Sequence, residues 1–174
     1  MATKKSMMVL FGVLVISSFV LASVIEAGAE TLKFKVYTYV TKAERAPVGD
    51  VDGHTVTFST RGAFIVFGNG EVATQRSVGT SDTIKASGSS LTYQTITFSD
   101  GSTIIIKAQT EVTGTAPGAP TAAKLTREII KGTGRFEGIK GTGTSTVKYL
   151  PVEEGEAGAK GIGEGSITYT LPSK

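Results

Sequence analysis

The chain has 174 residues, enough for one domain with a substantial core and too few for two ordinary ones. It has no cysteine, which excludes a disulfide framework, a thiolate metal site and lipoprotein attachment. The net charge is only +3, and Lys33, Lys35, Arg61, Arg76, Lys85 and Lys107 stand singly, so no basic cluster tracks phosphates and no nucleic-acid partner is expected.

The N-terminus has the composition of a targeting segment. Lys4 and Lys5 give a positive start, residues 7–24 are almost uninterruptedly apolar, and Ala27-Gly28-Ala29 offers the small residues a signal peptidase reads. The expectation is a signal peptide over 1–29 and one domain over 30–174, exported to a periplasmic or extracellular space. An uncleaved membrane anchor is the competing reading, which Ser17, Ser18 and Ser23 weaken. After cleavage, no stable membrane insertion is expected.

Beyond residue 29, short runs of Thr, Val, Ile, Tyr and Phe alternate with Gly, Asp and Pro, the pattern of an all-β domain. The first strand is predicted over 32–42, then a loop over 44–50 that contains Pro47 and Gly49. A strand over 54–60 places His54, Val56 and Phe58 on one face; Arg61-Gly62 interrupts it, and 63–67 continues. Asn69-Gly70 suits a type I′ hairpin. The next strand runs from 71 to 78 and on towards 85, with Gly79 as a bulge. Residues 91–98 and 102–112 form the clearest hairpin, around Asp100-Gly101. The segment 113–121 reads as a loop, 122–131 and 144–150 as strands, 151–161 as a solvated glycine-rich loop, and 166–171 as the last strand.

Between the strands at 122–131 and 144–150 lies the densest glycine stretch, with Gly132, Gly134, Gly138, Gly141 and Gly143 around Phe136. Such a segment bends sharply and admits close backbone approach, which makes it a barrel-end turn with Phe136 as the plug. It is not a phosphate loop, because its third glycine falls one residue late and a strand follows. No cofactor is implied. About eight strands with short connections predict an eight-stranded antiparallel barrel, with a two-sheet sandwich as the competing architecture.

The run Gly132-Thr-Gly-Arg-Phe-Glu-Gly-Ile-Lys-Gly141 resembles a segment of the allene oxide cyclase and dirigent barrels. Residues 67–72 and 93–102 look like strand ends of exported bacterial members of that superfamily, and the resemblance spans roughly 33–149. It implies a calycin-like eight-stranded barrel whose lumen holds an apolar substrate, and a homo-oligomer, a trimer in plant members. The plant cyclases use an asparagine, a cysteine and a carboxylate. This chain has no cysteine, and its only asparagine, Asn69, falls in a predicted turn. No catalytic residue is carried over.

Candidate chemistry is sparse. Asp50, Asp52 and His54 lie within five residues of one another, yet they lack the spacing of a calcium loop and the further His or Cys of a zinc site, so no metal is expected. No nucleophile elbow accompanies the single imidazole. The better candidates are polar residues that alternation places with apolar ones: His54 with Val56 and Phe58, Arg76 with Val72 and Val78, Tyr93 with Leu91, and Arg127 with Leu125 and Ile129. These four are the candidate lumen residues, and Glu111 and Glu128 the carboxylates to examine for catalysis. The expected function is a non-enzymatic barrel that binds a small apolar or amphipathic ligand. The alternative is an isomerase or cyclase acting on a hydrophobic substrate in the lumen.

Overall fold

A computed structural model describes residues 28–116 and 119–173; the expected signal peptide, except Gly28 and Ala29, lies outside them. The strands are β1 (Glu30–Pro47), β2 (His54–Phe67), β3 (Val72–Ile84), β4 (Ser87–Phe98), β5 (Thr103–Ala116), β6 (Ala119–Thr133), β7 (Lys140–Tyr149) and β8 (Gly161–Thr170). Each pairs antiparallel with its chain neighbours, and β1 pairs with β8 to close an eight-stranded barrel. The barrel, not the sandwich, is the fold.

The strands are longer than composition suggests. β1 continues to Pro47 through the expected loop, because its register with β8 ends at Thr38 and the later residues pair only with β2. A proline there leaves its unpaired side towards no neighbour. β5 and β6 likewise run on to Ala116 and Ala119, and Pro117 and Gly118 lie outside the described residues. β8 begins at Gly161, not 166. Its glycines suit a crowded lumen: a Cβ on Gly165 would lie 2.8 Å from the ring of Phe34. Gly79 makes no bulge, since both its ladders pass through it without a shift; register shifts fall instead at Val40/Lys42, Ile105/Ile106, Thr113/Gly114 and Gly114/Ala116.

One turn departs from its expected type, and the type I′ turn falls elsewhere. At Asn69-Gly70 only Gly70 has positive φ (85°), and Gly70 N donates to Phe67 O at 2.9 Å, a type I turn closed by a left-handed glycine. The type I′ signature belongs to Lys85 (φ 50°) and Ala86 (φ 68°), between the paired residues Ile84 and Ser87. Two non-glycine residues in the left-handed region carry local strain.

The interior divides into two halves. Towards the end that carries the β2–β3, β4–β5 and β6–β7 turns, the lumen is filled by Phe34, Ile65, Phe67, Ile96, Phe98 and their neighbours, all buried. An aromatic chain crosses this end. Phe67 stacks on Phe98 at 5.4 Å, Phe98 meets Phe136 at 4.7 Å, and Phe136 meets Tyr169 edge-on at 6.5 Å. Phe136 sits on a short 3-10 turn (Gly134–Phe136) and is buried, so it plugs the barrel end. Gly132 is required beneath it, because a Cβ there would lie 2.1 Å from Phe136 O. Outside the plug, the Arg135 guanidinium covers the rings of Phe98 and Phe136 at 4.8 and 4.7 Å and pairs with Glu71 and Asp100.

Candidate functional site: the polar half of the lumen

Past the aromatic layer the same strands turn different side chains inward, and a cavity of about 340 Å³ remains. Its wall is hydroxylated by Thr38, Thr55, Thr57, Ser59, Ser77 and Thr92, with Val36, Val40, Val112, Leu125 and Val147 between them. The size is at the lower end of small-molecule sites, which span roughly 300–1,000 Å³. Arg45 and Lys85, both exposed, mark the mouth, together with the Lys85-Ala86 turn.

Residues 157–159 of the β7–β8 loop also line the cavity, and Ala159 is buried. The expected solvated loop is therefore partly packed. Lys160 Nζ braces it, 2.6 Å from Glu156 Oε1 and 3.7 Å from Glu153 Oε1.

Arg127 forms the floor. Alternation on β6 turns it inward beside Leu125 and Ile129, and it is only 5% exposed. Its Nε and Nη2 donate to Ser145 Oγ at 3.2 and 3.1 Å, Nη1 donates to Gln94 Oε1, and its central carbon lies 5.3 Å from the Phe34 ring centroid. Gln94 is in turn oriented by donating from Nε2 to Thr92 Oγ1 at 3.2 Å. Burial pulls the Arg127 pKa down to about 10, so it stays cationic at neutral pH. Among the described residues no carboxylate pairs with it.

The other three candidate lumen residues face elsewhere. Tyr93 is 46% exposed on the outer face, between the buried Gln94 and the half-buried Thr92. Arg76 is exposed between the inward-facing Gln75 and Ser77. His54 is on the outer side of β2, while its neighbour Thr55 lines the cavity. Its ring lies between two carboxylates, Nδ1 2.6 Å from Asp50 Oδ1 and Nε2 2.7 Å from Asp82 Oδ1. These bonds, Asp82 foremost, raise the His54 pKa, and the bond from His54 holds the Asp50 carboxyl below its usual range. The trio clips the β1–β2 connection to β3. Both ring nitrogens are engaged, which leaves none for a metal. Glu111 and Glu128 are exposed outside the barrel.

Gln75, Gln94 and Arg61 line the cavity, Lys85 stands at its mouth and Ser145 holds the floor residue Arg127, and the sequence pattern singles out none of them as a site residue. The signal for Gln94 and Gln75 is present in the chain: they share parity with Phe98 and Ala73, which anchor the closed half.

No family model matches the chain, and no curated protein matches it. Among solved structures the chain is similar to the pterocarpan synthase dirigent proteins GePTS1 and PsPTS1. Identity to GePTS1 is 18% over 85% of this chain and 93% of that one, with a TM-score of 0.46. Identity to PsPTS1 is 19% over 86% of this chain and 99% of that one, again with a TM-score of 0.46. The barrel rests on its own strand pairing, and no activity passes from those proteins to this chain.

Proposed function

We propose that the protein is an exported, non-catalytic barrel that holds one small amphipathic molecule in the polar half of its lumen. The observation that carries this reading is the contrast within one interior: one half is filled by a cluster of buried apolar side chains, while the other keeps a cavity of about 340 Å³ lined by hydroxyls, amides and aliphatic groups. Packed interiors keep few voids larger than a water, so a cavity this large supports the binding reading. Among the described residues the cavity wall has no carboxylate or imidazole to act as a base, which favours binding over the cyclase alternative.

The outer surface supports self-association. Register places Ile162 beside Tyr37, Tyr37 beside Phe64, and Val66 beside Val72, all of them 40–53% exposed. An apolar run of this kind suits an interface between copies. Native mass spectrometry of the mature protein, purified without detergent, tests both points, together with a thermal-shift panel of neutral and charged amphiphiles. A retained small-molecule mass or a panel hit is expected. An empty protein that no panel member stabilises overturns the binding reading.

A further inference from the structure

The cavity is lined by four cationic side chains, Arg45, Arg61, Lys85 and Arg127, and by no acidic one. The whole chain is nearly balanced, with 18 basic and 15 acidic residues, so this lining is a local segregation of charge. Arg127 is the decisive member. Its three hydrogen bonds go to a neutral hydroxyl and a neutral amide, and two of its five N–H donors have no acceptor among the described residues. A guanidinium that deep is ordinarily paired, because desolvation without a counter-charge is costly. Among the described residues no counter-charge faces it.

Two further observations converge on the same level of the lumen. Arg61 pairs in register with Ser77, and Ser77 with Gln94, the residue that accepts from Arg127; the wall thus brings a second cation to the row of the floor amide. Gln75, one strand over and 8% exposed, has a buried Oε1 with no partner. A buried polar atom left open in this way marks a place for a donor that is not a protein group.

We propose, building on the lumen-binding reading, that the ligand is a small organic oxyanion. Its charged head docks on Arg127, and its chain passes Leu125 and Val112 towards the mouth. Arg127 supplies a planar fork matched to carboxylate or phosphate oxygens. Arg61 adds charge at the side, and Gln75 Oε1 accepts from a hydroxyl of the ligand or from a water. Arg45 and Lys85 at the rim draw the anion in, an effect that salt screens.

The test compares three probes of equal chain length by isothermal titration: octanoate, octyl phosphate and the neutral octanamide. Octanoate and octyl phosphate share the oxyanion head, and their ratio says which head fits better. At least one anion is expected to bind about ten-fold or more tighter than the amide, the ratio expected of a charge-assisted hydrogen bond. That advantage should vanish in Arg127→Gln. If Arg127→Gln fails to fold, judged by circular dichroism, Arg61→Gln replaces it; the anion should then bind about three-fold or more weakly and with less dependence on salt, while the amide is unchanged. Octanamide binding as tightly as both anions overturns the oxyanion proposal and leaves lumen binding standing. Failure of all three probes, together with an empty thermal-shift panel, removes both.

Discussion

The two halves of the lumen are built by the same eight strands with the same inward alternation, and they differ only in what those positions carry. In the closed half, the inward residues of β1, β2 and β4 are Phe34, Ile65, Phe67, Ile96 and Phe98. Further along the same strands they are Thr38, Ser59, Thr57, Gln94 and Thr92. On the proposed binding reading, the barrel thus separates stability from binding along its axis. Aromatic packing at one end frees the other from having to be a core, and the free end can hold a charge that no core would accept.

Substitutions probe that division. Phe136→Ala should have the largest effect, since it opens the aromatic plug, and truncating a buried Phe costs about 3–5 kcal/mol; chemical denaturation measures it. A loss below about 1 kcal/mol would mean that the plug is not what stabilises the closed half. Arg127→Met, in the floor between the halves, should cost less, within about 2 kcal/mol of wild type. Relief of a desolvated cation offsets the donor it removes from Gln94. A loss as large as that of Phe136→Ala would place Arg127 with the core instead of the site.

His54→Gln tests the rim of the open half through pH. A histidine whose folded pKa is raised contributes stability that is complete below its ordinary value of 6.5 and disappears as pH rises through the raised value. The melting-temperature gap between wild type and His54→Gln should therefore be widest near about pH 5.5 and close on the alkaline side. The Asp50 share fails only in stronger acid, as pH falls below 3.8 through its lowered value. A gap that does not vary with pH would mean that the ring is not held as a cation. The smallest effect is expected for Thr57→Val on the cavity wall, within about 0.5 kcal/mol by denaturation, because its side chain lines the cavity and makes no hydrogen bond among the described residues.

The sequence conveyed the barrel, its strand count and its plug, because alternation, turn residues and the glycine spacing around Phe136 are local signals. It misassigned the inside on β2, β3 and β4. There the outer face carries Val56, Phe58, Val72, Val78, Leu91 and Tyr93, and the inner face is mostly hydroxylated or amide-bearing, so the rule that apolar residues face inward selects the wrong side. His54 illustrates the cause. Arg61-Gly62 looks like a break, but β2 is continuous, and counting back from the buried Phe67 turns Thr55 inward and His54 outward. Arg127 was legible because its face companions, Leu125 and Ile129, are inward residues. The hydrogen bonds from Arg127 to Gln94 and Ser145 span 33 and 18 positions, and no local pattern announces a contact of that range.

If the lumen binds as proposed, the plug at Phe136 also governs traffic. With one end sealed by stacked rings, the cavity is a cul-de-sac, and a molecule must leave through the opening by which it entered. Exchange is then strictly one after another: an incoming molecule cannot push a resident out from behind, and the departure rate is independent of how much competitor waits outside. On that reading residues 157–159, which line the cavity, bear on how long an occupant stays.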